Sequence, residues 1–430
     1  MRGFKVEYST RVTDSGIVRC DAFGDTFKMN SLTLNFFWSL DKQYASKIAL
    51  LCGVLKRGNT VFGEMDKISA YLDMNYGANL DISTSKAGEL QLLSFTAAYI
   101  DNKFALDGED ISANMVKLLD AVIFSPILEN GVFKESYVTQ EKQNLKDRIL
   151  ALINDKQVYS YEKCKRIMFA NEKYGVYEQG DIDEIEKITP ASLYEFYLEL
   201  LDKAMLVVSY GGIKCDTDAL TLPLMQKLSG GNREKLSTYR NENVDKVNKV
   251  TEEMDVAQSK LNMGFRLGES AASDLFALRM FNVIFGGSPT SKLFMNVRER
   301  LSLCYYCSGV CDVLKNVMFV YSGVETKNAE IAEREILNQL SLMQKGEFTE
   351  EEFNNARAYL ADSYIQAGDS SYALSNLLVS AYIQGHNLTP DEQIRELEKV
   401  TPERVKAVAS DIKLDTVFLL KGMGGVSDAE

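Results

Sequence analysis

The sequence predicts an α+β fold built from two duplicated domains, each a mostly antiparallel sheet covered by helices on one face, and three observations carry that expectation. An octapeptide recurs about half a chain apart: residues 183–190 read DEIEKITP and residues 395–402 read RELEKVTP, an offset of 212 residues. Each copy then runs through a helix into an apolar strand, Leu206-Val207-Val208 or Val417-Phe418-Leu419-Leu420, and ends in a glycine pair, Gly211-Gly212 or Gly424-Gly425. Finally, 430 residues exceed what one hydrophobic core ordinarily serves and suit two domains of about 200 residues each.

The elements follow in order. A helix is expected over Ala45 to Arg57, ending at Lys56-Arg57-Gly58-Asn59. An apolar strand over Leu90 to Ile100 precedes a helix in which Ile111, Met115, Leu118, Leu119 and Val122 share one face, as a sheet-covering helix requires. A long charged helix begins near Phe133, and Thr189-Pro190 supplies the N-cap hydroxyl and first-turn proline of the next. The second half repeats the series with a strand over Val317 to Val324, a charged helix near Phe348 and Thr401-Pro402. Between the halves, Pro223, Ser229-Gly230-Gly231 and mixed charge read as a connection. The expected division is therefore an N-terminal domain over 1–215, a linker over 216–248 and a C-terminal domain over 249–430.

Composition excludes several functions. A net charge of -13 without a concentrated Lys/Arg run disfavours nucleic acid as a partner. No apolar run of about 18 residues is present, so no membrane span is expected. The first residues, MRGFKVEY, lack the apolar segment of a secretory signal, and seven cysteines without framework spacing agree with reduced thiols. A cytoplasmic protein is the expectation. Of the cysteines, Cys304, Cys307 and Cys311 form the one cluster; in a regular strand Cys307 and Cys311 share a face and Cys304 does not, so buried thiols are expected rather than a metal site. His386, in Gln-Gly-His-Asn-Leu between helices, reads as a loop residue.

Ser291 to Tyr305, SKLFMNVRERLSLCY, resembles the pattern S-[RK]-L-F-x-x-[VL]-R-E-[KR]-x-G-L-x-Y of the second domain of insulinase-like metallopeptidases, the family that includes pitrilysin and the mitochondrial processing peptidase. That resemblance implies half of a peptidase clamshell, with Arg298 and Tyr305 binding the substrate backbone near the scissile bond. A guanidinium and a phenol are strong donors toward a carbonyl oxygen that gains charge, each worth on the order of 3 kcal/mol in such reactions. Without the surrounding motif, Arg298 would read as a surface ion-pair residue and Tyr305 as strand core. The family's glycine is replaced by Ser302, and Tyr306 adjoins Tyr305; the spacing favours Tyr305 as the residue that faces the cleft.

Active relatives carry H-x-x-E-H on a first-domain helix, two imidazoles facing one zinc and a glutamate that activates water. Aligned on Gly58, the three positions are Ala49, Cys52 and Gly53. Glu141 resembles the first of two family glutamates seven residues apart, and the second, a zinc ligand in active members, is Arg148. The chain has a single histidine, so a two-histidine site cannot be assembled from it. Cys52 has no base placed by the sequence to make it a nucleophile.

The Lys-Arg-Gly exit, Asn154-Asp155-Lys156 and the Ser-Lys-Leu-Phe-x-Asn-Val-Arg-Glu run resemble the YmfF-like subgroup, which lacks the zinc site. The resemblance implies a non-catalytic subunit with no cofactor of its own, paired with a zinc-bearing insulinase-like paralogue and a peptide substrate, supplying Arg298 and Tyr305 opposite the partner's zinc. The alternative is a peptide-binding or scaffold pseudoenzyme, homodimeric when alone.

Overall fold

The structure, a computed structural model, describes residues 6–233, 236 and 238–423. It contains two compact units. Of the described residues, the first takes those within 6–149, 176–236 and 365–390; the second takes those within 150–175, 238–364 and 391–423.

The first unit holds a six-stranded sheet in the order Val6–Val12, Val18–Gly24, Met205–Gly212, Met29–Ser39, Leu90–Ile100, Asn79–Ala87. The second holds five strands in the order Asn248–Met254, Lys413–Gly422, Ser259–Arg266, Val317–Val324, Cys304–Asp312. Apart from the added edge strand at residues 6–12, the two orders are the same. In both sheets the closing strand, Met205–Gly212 or Lys413–Gly422, runs parallel to one neighbour and antiparallel to the other. The repeated octapeptide thus reports a duplicated sheet. Thr189 and Thr401 cap the helices Pro190–Lys203 and Pro402–Ser410, each accepting from the backbone N–H three residues on. Gly424 and Gly425 lie outside the described residues.

The two α+β halves are as expected, and a further layer accompanies them. On the strand Met205–Gly212, Leu206, Val208 and Tyr210 face a core shared with the helices Lys42–Lys56, Ile111–Phe124 and Pro190–Lys203. Val207 points to the opposite face and packs with Val18, Cys20, Leu374 and Leu378, so the helix Ser371–Ile383, from the second half of the sequence, covers the back of the first sheet. The second unit makes the reciprocal arrangement: Lys156–Met168, from the first half, brings Cys164 and Met168 against Phe319, Phe418 and Leu420. Each fully buried aliphatic or aromatic side chain contributes roughly 1.5–3 kcal/mol, enough to hold these helices far from their sequence neighbours. The approach is close: a Cβ at Gly211 would collide with the Ser371 carbonyl, and one at Gly264 with the Met168 sulfur.

The expected contiguous division at 1–215, 216–248 and 249–430 differs from this arrangement. Residues 150–175 and 365–390 change units, and the expected linker includes a capped helix, Thr217–Leu228, whose Leu224 and Leu228 belong to the first core. Periodicity reports which face of a helix is apolar, and says nothing of which sheet that face will meet.

Candidate functional site

The helix Lys42–Lys56 begins at Asp41, whose carboxylate accepts from the Gln43 N–H, and its buried face carries Ile48, Leu51 and Leu55. Its exit lies beside a cavity of about 550 Å³ lined in part by Ala49, Cys52, Gly53, Glu141 and Arg148. The four positions expected to replace a metal site are therefore neighbours in space, with Glu141 among them. Cys52 is buried and points its thiol at the Ile48 carbonyl (3.4 Å); burial pushes that thiol up to about 12, which leaves it protonated at neutral pH. Gly53 lies directly under Glu141, so that a Cβ there would collide with the carboxylate. Glu141 is turned toward Arg57, whose Nε donates to it at 2.5 Å. The ion pair Lys56–Asp81 (3.2 Å) stands at the rim, and Ile82, Ser83 and Thr84 of the edge strand Asn79–Ala87 form one wall.

In the second unit, an i→i+5 helical segment, Leu293–Arg300, leads through a tight turn into the strand Cys304–Asp312. The Ser302 N–H donates to the Arg298 carbonyl and the Leu303 N–H to the Val297 carbonyl, both at 3.0 Å. Ser302 has a left-handed backbone, φ 50°, at the position where the family pattern has glycine. The strand then bulges: Cys304 pairs with Val324 and Tyr306 with Gly323, leaving Tyr305 as the extra residue. Tyr305 is 66% exposed, while Tyr306 packs beside Tyr321 under Lys260, and burial lifts its phenol to about 12. The side chain of Arg298 is 40% exposed and lies over the Phe294 ring, 4.5 Å from its centroid. Of the two adjacent tyrosines, Tyr305 is the one free to meet a ligand.

The bulge also corrects the expected cysteine geometry. With one residue inserted, Cys304 and Cys307 are both buried, and the neighbouring Cys307 thiol, with Arg298 nearby, draws the Cys304 thiol below its ordinary value. Among the described residues no group of three or more His, Cys, Asp or Glu could hold a metal ion. His386 lies in the loop after Ser371–Ile383, with its Nδ1 accepting from the Leu388 N–H.

Residues 187–360 match the family described as "Peptidase M16 inactive domain". The chain is 32% identical over 408 residues to the "Probable inactive metalloprotease YmfF" of Bacillus subtilis, a match spanning 94% of this chain and 95% of that protein. The chain belongs to the M16 peptidase family. A solved structure of a conserved protein from Enterococcus faecalis V583 superposes with a TM-score of 0.86 at 28% identity, covering 96% of this chain and 98% of that one. The peptidase M16 inactive domain from Pseudomonas fluorescens, 17% identical, shares the fold with a TM-score of 0.78, covering 97% and 99% of the two chains.

The M16 fold implies a zinc ion in its active members, and the donor set here does not fit one. Ala49 and Gly53 offer no ligand atom, Cys52 is turned into its own helix, Arg148 is a cation, and Glu141 is engaged by Arg57. Divalent zinc needs about four deprotonated donors converging on one point. Arg57, part of the Lys56-Arg57-Gly58 exit, neutralises Glu141, a role that the sequence alone does not assign. The available signal was a cation, Arg57, one helical turn after Gly53, since a buried carboxylate such as Glu141 needs a counter-charge.

Proposed function

We propose that this M16 member is the non-catalytic subunit of a cytoplasmic heterodimeric peptidase, presenting Arg298 and Tyr305 to a peptide whose cleavage depends on the zinc of a paralogous partner. The observation that carries the reading is the asymmetry between the two units. At the metal position every liganding side chain is replaced or engaged elsewhere, whereas the Arg/Tyr segment keeps its motif and leaves Tyr305 outward on a bulge. Loss of function at both sites would leave no reason for the second to stay open to solvent.

In this reading the Arg298 guanidinium and the Tyr305 hydroxyl donate to a carbonyl oxygen of the bound peptide, orienting it and stabilising the charge it gains. The edge strand Asn79–Ala87 has a sheet neighbour on one side only and offers its other edge to an extended peptide by strand addition. Among the described residues no helix is long and apolar enough to cross a membrane.

The test compares hydrolysis of unstructured peptides by this chain, by a zinc-bearing paralogue from the same organism and by the mixture. Activity that requires both chains supports the subunit reading. A paralogue whose rate ignores this chain points to the scaffold alternative, and hydrolysis by this chain alone contradicts both.

A further inference from the structure

We infer that the cavity at the former metal position is a carboxylate site, which takes the C-terminal carboxylate of an extended peptide on Arg148. The inference rests on the chain's binding peptides and adds where, and by which chemistry, one end is held.

The charge around the cavity is opposite to that of the molecule. The whole chain carries -13, yet the lining includes Lys56, Arg57 and Arg148 against the single carboxylate of Glu141. Two of these cations are satisfied, Arg57 by Glu141 and Lys56 by Asp81. Arg148 forms no ion pair among the described residues, although it lines the same cavity from the helix Glu135–Ala151. A guanidinium presents a planar fork of donors that matches a carboxylate with two parallel hydrogen bonds, and Asn144 and Gln179 add amide groups to the same lining. The cavity's volume, about 550 Å³, is in the range of ligand sites and accommodates the last residues of a peptide. The wall at Ser83 and Thr84 belongs to the sheet-edge strand, so a peptide added there runs alongside the cavity. An internal stretch of backbone brings no charge to Arg148, whereas a chain terminus does.

An acidic side chain and inorganic phosphate carry related chemistry, and the measurement separates the sources. Binding of a short N-terminally labelled peptide is followed by fluorescence anisotropy on the full chain for three forms: the free acid, its C-terminal amide, and the amide ending in glutamate. Inorganic phosphate is added as a competitor. The free acid is expected to bind roughly tenfold more tightly than either amide. Arg148→Ala should abolish that difference and Arg148→Lys should retain part of it. Equal affinity for acid and amide, an unchanged preference in Arg148→Ala, the glutamate amide or phosphate matching the acid, or no binding of any peptide would each overturn the inference. Arg148 is solvent-exposed on its helix, so its substitution leaves the core intact. The assay needs no partner: a chain that prefers the acid but leaves the paralogue's rate unchanged keeps this inference and loses the subunit reading, and the reverse result does the opposite.

Discussion

Ser302 holds the turn between Arg298 and Tyr305 in a left-handed conformation, φ 50°, that costs an L-residue on the order of 1–2 kcal/mol. A branched side chain suffers most there. Ser302→Val is expected to lower stability by about 1–2 kcal/mol in urea denaturation, with Ser302→Gly staying within about 1 kcal/mol of wild type because strain relief and added unfolded-state entropy offset one another. Gly53 makes a second residue-level prediction. A glycine inside a helix is normally improved by alanine by roughly 0.5–1 kcal/mol. Here the added methyl meets the Glu141 carboxylate, and overpacking of roughly 1–3 kcal/mol wins, so Gly53→Ala should destabilise the chain in the same assay. Both residues were visible in the sequence as departures from a family pattern. The direction of Tyr305 was less so, because spacing favoured it over Tyr306 but alternation alone cannot foresee a bulge, and it is the unpaired residue at the bulge that turns one tyrosine out and its neighbour in.

Individual elements came through where they depend on their own residues. The strands Leu90–Ile100 and Val317–Val324, the helix Ile111–Phe124 and the threonine caps match expectation because apolar periodicity and capping are local. The exchanged helices did not, since their partners lie in the other half of the sequence. The segment after Lys156–Met168 is tied down by charge as well as packing: Glu172 receives hydrogen bonds from Arg266 Nη2 (2.8 Å) and from Lys315 Nζ (2.5 Å), the latter fully buried. Burial pulls the Glu172 carboxyl upward, but those two hydrogen bonds and charges outweigh it and hold the group below its ordinary value. A carboxylate depressed in the folded state stabilises fully above its unfolded value, about 4.3, and loses that contribution as pH falls through the folded value. Glu172→Gln, which takes the carboxylate charge away from the buried Lys315 ammonium and the Arg266 guanidinium, should therefore cost about 3 kcal/mol at pH 7. Its stability should also fall less steeply than wild type when both are titrated below about pH 4. Parallel acid profiles for the two proteins would remove Glu172 from the account.

At the scale of the molecule, duplication was legible because a helix cap and the strand that follows it recurred at one offset, and both sheets repeat a single strand order. Residue types alone argue against a two-histidine metal site, since the chain has one histidine. The pairing of Glu141 with Arg57, with Arg148 beside the same cavity, depends on the helices Lys42–Lys56 and Glu135–Ala151 being brought together. Arg298 is proposed to serve a reaction whose metal lies in another chain. This role is tested most directly by comparing kcat for the wild-type and Arg298→Ala mixtures with the zinc-bearing paralogue, with association and zinc content measured in the same samples. A fall of roughly 10²–10³-fold in kcat is expected, corresponding to one lost transition-state donor, with association and metal unchanged. An unaltered kcat in a fully assembled, zinc-loaded mixture would contradict it.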